Sequence, residues 1–171
     1  LSGDLALTQA QFTALVANEA EFFKDDHALR VSASGELGED AAWLDQVDQL
    51  ELTGDTTMSL SQFQHFAGQM TRAGSAPSAM ITLTMVSGDL STDDLSWVET
   101  VNVSGTVTFA ADQFETLLDS ESLNLNDNQV FLAEVSGTLS LTDDQLAPVT
   151  ALTLSGDLAL TQAQFTALVA N

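Results

Sequence analysis

The chain has 171 residues, 44% of them hydrophobic, enough for a sizeable core in one domain or in two small ones. Against 25 acidic residues stand only Lys24, Arg30 and Arg72, and the net charge of -22 excludes nucleic acid and an anionic membrane surface as partners, because both need a basic footprint. The lack of cysteine excludes disulfides, thiolate metal sites and a cysteine nucleophile, and no apolar run approaches the ~20 residues of a membrane span.

The first element is LSGDLALTQAQFTALVAN, Leu1 to Asn18. Apolar and polar residues alternate around Gly3, which is the strand signature. From Thr8 the spacing becomes helical, with Phe12, Leu15 and Val16 on one face. Thr8 reads as the helix N-cap, and Ser61, Thr142 and Thr161 as its counterparts further along. The segment 19–30 (EAEFFKDDHALR) then breaks the pattern. A shorter version comes next from Ala33, ASGELGEDAAWLDQV, and the long version restarts at Leu52 as LTGDTTMSLSQFQHF.

Further along the chain the same order recurs. A variable segment (70–80) precedes a short version from Val86, a long version opens at Val103, a variable segment spans 119–129, and a short version opens at Val135. The opening eighteen residues then return unchanged as Leu154 to Asn171. The Gln-Phe pair falls at Gln11-Phe12, Gln62-Phe63, Gln113-Phe114 and Gln164-Phe165, so the period is 51 residues. Glycines 3, 35, 54, 88, 105, 137 and 156 alternate long steps of about 32 residues with short steps of about 19. Gly within a strand pattern marks a bulge, a corner or a close approach, and seven recurrences make a corner the natural reading.

These elements predict an α/β repeat solenoid of parallel strands with a row of short helices, each 51-residue unit holding a long and a short coil. The expected organisation is one array over 1–171, with units 1–51, 52–102 and 103–153 and a partial unit 154–171. Each coil is expected to run strand, corner, strand, helix. The variable segments are expected to be loops or helix extensions on one side of the stack, the first place to look for selective binding. Because the chain starts at Leu1 rather than Met and restarts its own text at Leu154, it reads as a window on a longer array.

The string LSLTDDQLAPVTALTLSGD (139–157) resembles bacterial leucine-rich repeats, and apolar strand, LTLTxxQ and short helix over the whole chain are similar to the acidic repeats of large secreted bacterial surface proteins, adhesins and surface layers among them. These resemblances imply a non-enzymatic extracellular or cell-surface module of a bacterium, such as a stalk, adhesin, filament or surface-layer segment; the identical, uncapped motif at both ends leads to the expectation that its partner is itself, head to tail through the solenoid ends. The alternative they imply is a leucine-rich-repeat-like module that binds a protein or a glycan.

Candidate chemistry is sparse. No GxSxG, P-loop, HExxH or GxGxxG motif occurs, so no catalytic or cofactor-binding residue is assigned. His27 and His65 lie in different units, and His65, between Phe63 and Phe66, reads as a packing residue. The pairs Asp25-Asp26, Asp93-Asp94 and Asp143-Asp144 could supply a glycosidase pair, but their place at helix starts favours capping. Asp119, Glu121, Asn124, Asn126 and Asp127 supply the hard oxygen ligands of a calcium candidate, against which stands an ordinary solvated loop without EF-hand spacing. Trp43 and Trp97 occupy matching places in two short coils and read as core packing, with a sugar-stacking platform as the alternative. The residue after each corner glycine is Asp4, Glu36, Asp55, Asp89, Thr106, Thr138 or Asp157, and stacking such charges ~4.8 Å apart raises repulsion that solvent and salt, or else shared cations, must relieve.

Overall fold

A computed structural model describes residues 5–17, 28–37, 46–125 and 130–170. The protein is α/β, with parallel strands and a few short helices. The chain divides into two compact units, Leu1–Leu83 and Thr84–Asn171. The first holds β1 (Leu5–Thr8), α1 (Gln9–Val16), β2 (Leu29–Glu36), β3 (Gln49–Ser59), α2 (Leu60–His65) and β4 (Met70–Arg72). Strand β5 (Ile81–Asp89) spans the boundary. The second holds β6 (Val98–Ala110), α3 (Ala111–Asp119), β7 (Leu123–Asn124), β8 (Val130–Thr138), α4 (Asp143–Leu146), β9 (Val149–Ala159) and α5 (Gln162–Val169).

Alternation places the core. In β2, Leu29, Val31 and Ala33 point inward; in β3, Leu50, Leu52 and Met58; in β6, Val101, Val103, Val107 and Phe109. The Val- and Thr-rich text of β6 suits a pleated surface with one apolar face. Phe12 and Phe63 in the first unit and Phe114 in the second, each from the recurring Gln-Phe pair, are buried, so each helix lays its Phe into the core of its own unit.

Gly35, Gly54, Gly137 and Gly156 lie inside continuous strands at register shifts, so the expected corner is a bulge at these positions. Ala33 pairs with Leu52 but Gly35 with Thr56, so Thr53, Gly54 and Asp55 bulge opposite Ser34. The second unit repeats the feature, with Val135 on Leu154 and Gly137 on Leu158. Two different demands select glycine here. Gly35 and Gly137 adopt φ +76, with open space where a side chain would stand. Gly54, Gly105 and Gly156 instead accept the serine of the preceding strand at close range, and a Cβ on Gly105 would lie 2.7 Å from Ser87 Oγ. The bulge also offsets the acids: Glu36 stands opposite Thr57 rather than Asp55. Glu36, Asp55, Asp89, Thr106, Thr138 and Asp157 all keep contact with solvent.

Two expectations need correction. The variable segments 70–80 and 119–129 carry short strands rather than loops alone. Strand β4 pairs with Leu50–Leu52 of β3, and β7 with Val101 and Asn102 of β6. The next strand then takes the second half of the same edge: Val107–Ala110 of β6 pairs with Val130–Ala133 of β8, and Thr56 N donates to Met80 O just before β5. The segment 91–97 forms turns in place of a short-coil helix. There Asp89 Oδ1 accepts from Ser91 N, and Asp94 Oδ1 from Ser96 N, so local side-chain bonds compete with helix formation. Of the variable segment 19–30, Leu29 and Arg30 open β2 rather than ending a loop, while residues 19–27 and the short-coil stretch 38–45 lie outside the described residues.

Candidate functional site

Every helix here begins on an orphan set of backbone N–H groups, and the recurring glutamine answers that need. Thr8 Oγ1 accepts from Gln11 N at 3.3 Å while Thr8 N donates to Gln11 Oε1 at 3.0 Å. Ser59 with Gln62, Thr142 with Gln145 and Thr161 with Gln164 form the same reciprocal pair. The cap of α2 is therefore Ser59, and not the expected Ser61, because only Ser59 sets Gln62 three residues into the helix. Ala110 has no hydroxyl, so α3 keeps half of the motif: Ala110 N donates to Gln113 Oε1 at 2.8 Å.

The other end of the same amide ties the helix to the short coil before it. Gln113 Nε2 donates to Leu90 O at 3.0 Å and to Asp93 O at 2.8 Å. Gln164 Nε2 donates to Leu139 O at 3.0 Å and to Leu141 O at 2.7 Å. One side chain thus caps its own helix and fastens the preceding coil, spending both amide hydrogens. The sequence signal for this role was the ungapped Gln-Phe pair; its function became visible only with the partners.

The repeated eighteen-residue segment occupies two unlike environments. Phe12 is 2% exposed, whereas Phe165, in the same local sequence, is 59% exposed. Strand β1 pairs with β2, the strand after it; β9 pairs with β8, the strand before it. Leu154 and Val169 join Phe165 among the exposed large apolar side chains, forming a surface on β9 and α5.

Three of the five calcium candidates, Asp119, Glu121 and Asn124, lie among the described residues. Asp119, at the end of α3, is exposed and its Oδ1 accepts from Gln145 Nε2 at 3.4 Å. Glu121 is exposed with φ 55, and Asn124 Nδ2 donates to Asn102 Oδ1 at 2.8 Å. Asn126 and Asp127, the remaining calcium candidates, lie outside the described residues, as do His27, Trp43 and the Asp25-Asp26 pair. Among the described residues no group of three or more His, Cys, Asp or Glu side chains could hold a metal ion. His65 is half-buried, its ring edge-on to Phe66 at 4.9 Å. Trp97 is half-buried. Asp143 and Asp144 lie in the first turn of α4, where the helix dipole favours them.

A groove of about 370 Å³ runs between 93–98 and α3, lined among others by Asp93, Asp94, Asp112, Thr116 and Ser120. Hydrogen bonds from Ser96 hold the Asp94 carboxyl below the usual range, and bonds from the Ser91 hydroxyl and amide do the same for Asp89. Both changes favour the ionised form, the reverse of what a general acid needs. No helix of the described residues is long and apolar enough to cross a membrane. No protein-family model, curated protein or solved structure matches the chain.

Proposed function

We propose that the chain is a non-enzymatic structural module, a stretch of α/β solenoid built on 51-residue units and continued head to tail in a bacterial stalk, adhesin, filament or surface layer outside the cell. The observation that carries this reading is the repeated segment, whose Phe12 is covered and whose Phe165 is bare. An apolar edge of this kind asks for a neighbour, and the text of the chain supplies a matching one. Helices α1, α2, α3 and α5 begin at Gln9, Leu60, Ala111 and Gln162, in step with the 51-residue period. The charge of -22 suits a rod that must stay soluble and resist side-to-side association.

Concatenated copies of residues 1–153 test the proposal. Six coils at ~4.8 Å predict that each added copy lengthens the particle by ~29 Å, read by small-angle scattering or electron microscopy. Particles that grow equally in all directions would sink it. A second reading, a leucine-rich-repeat-like module for a protein or glycan, draws support from the groove beside α3, where Asp112, Thr116 and Ser120 offer hydrogen bonds to a sugar. Glycan-array binding that disappears in Asp112→Ala and Thr116→Val would favour it.

A further inference from the structure

We propose that Met80 is a reversible oxidation site whose sulfoxide is caught by the guanidinium of Arg72, so that a peroxide oxidant tightens the loop 73–79 instead of loosening it. The residues concerned lie between Leu52 and Met80, within the first unit. Arg72 ends β4, and the seven residues after it, AGSAPSA, form two turns: Ala76 N donates to Ala73 O at 2.9 Å and Ala79 N to Ala76 O at 3.2 Å. One side chain closes the loop at its foot. Arg72 Nε donates to Ala79 O at 2.7 Å, and Nη2 to Met80 Sδ at 3.4 Å. The main chain of Met80 is fixed from the other side by β3: its N–H donates to Asp55 Oδ1 at 3.0 Å, and its carbonyl accepts from Thr56 N at 2.9 Å. The sulfur is thus held beside a cation where β4, the loop and the bulge of β3 meet.

A thioether is a weak acceptor, so the Arg72 contact gains little from it. Met80 is half-buried, which leaves its side chain open to a small oxidant, whereas Met58 is 1% exposed. With hydrogen peroxide a sulfur lone pair attacks one peroxide oxygen, the O–O bond breaks and an S–O bond forms. Sulfur loses two electrons, and the second oxygen leaves as water with the proton of the first. The product is a polar sulfoxide, which ordinarily disrupts an apolar site. Here its oxygen has a charged donor within reach, and a guanidinium bond to oxygen is shorter and stronger than one to a thioether. Because Nε of the same guanidinium already holds Ala79 O, the stronger bond draws the two ends of the loop together. Methionine sulfoxide reductases restore the thioether, which makes the change reversible.

Full-length wild type, Arg72→Leu and Met80→Leu, each treated with limiting hydrogen peroxide, test this. Site-resolved mass spectrometry should find Met80 oxidised before Met58, and hydrogen exchange in the peptide covering 73–80 should slow about fivefold in oxidised wild type. In Arg72→Leu oxidation should leave that exchange unchanged or faster, and in Met80→Leu peroxide should not slow it. Met58 oxidised first, an oxidised wild type whose 73–80 amides exchange as fast as before or faster, or a slowing that persists in either variant would each overturn the proposal. Should Arg72→Leu lose its circular-dichroism signal, oxidised wild type treated with methionine sulfoxide reductases of both epimer specificities decides. Exchange is then expected to return to its starting rate, and a slowing that survives the reduction of Met80 overturns the proposal.

Discussion

Removing the Gln113 side chain should cost more than any other single change on the surface of α3. Its three hydrogen bonds run to Ala110 N, Leu90 O and Asp93 O, at 2.8, 3.0 and 2.8 Å. A net value of roughly 0.5–1.5 kcal/mol for each puts Gln113→Ala at about 2–4 kcal/mol, a large share of a typical stability of about 5–15 kcal/mol. Gln113→Glu separates the two roles. It keeps the acceptor for Ala110 N but turns a carboxylate toward two carbonyl oxygens, so at neutral pH it should be no more stable than the alanine variant. Those carbonyls favour the protonated acid and raise its folded pKa above the unfolded value of ~4.3, so the penalty is small below ~4.3 and grows as pH rises through the folded value. Urea unfolding of the three proteins at neutral and acidic pH, monitored by circular dichroism, measures this. A loss below about 0.5 kcal/mol for Gln113→Ala, or wild-type stability for Gln113→Glu at neutral pH, would refute the double role, since the donor bonds would then contribute little.

The paired phenylalanines should behave oppositely in the monomer: Phe12→Ala should cost about 3–5 kcal/mol, and Phe165→Ala less than about 1, in thermal or urea unfolding. Gly105→Ala should destabilise by roughly 1–3 kcal/mol through overlap with Ser87, and adding Ser87→Gly should recover most of it; at Gly137, with φ +76 and open space, the cost of alanine is conformational and Ser87→Gly should not help. Asp89 has a folded pKa below its unfolded value, so its contribution is present above about 3.9 and lost as pH falls through the folded value; the small stability gap between wild type and Asp89→Asn should therefore close in acid. Raising salt from about 0.01 M to about 1 M shortens the screening length from ~30 to ~3 Å and should raise the melting temperature of a chain carrying a charge of -22. An extra rise with calcium at matched ionic strength, removed by Asp119→Asn with Glu121→Gln, would assign that ion to 119–127.

Strands, helices and most caps were legible because each is a local decision repeated several times. Alternation around each Ser/Thr-Gly and the switch to helical spacing at TQAQF locate β9 and α5 without reference to anything distant. The cap of α2 is expected two residues too far along, at Ser61, although Ser59 and Gln62 hold the same spacing as Thr8 and Gln11. Strands β4 and β7, of three residues and two, carry no period; they exist because β3 and β6 offer open ladder positions beside them. The turns at 91–97 reflect a competition that composition alone does not decide, in which Asp89 and Asp94 capture nearby amides before a helix can form.

The eighteen residues that occur twice separate the two kinds of information. Sequence alone determined that both copies become a strand, a Thr cap bonded to Gln three residues on, and a two-turn helix, because propensity, capping and periodicity act within a few residues. Only the tertiary structure decided that Phe12 is covered and Phe165 bare, and that one serine-glycine pair needs a positive φ while another needs room for a neighbour. Burial depends on which strand lies across the edge, and a chain that repeats its own words cannot specify that locally.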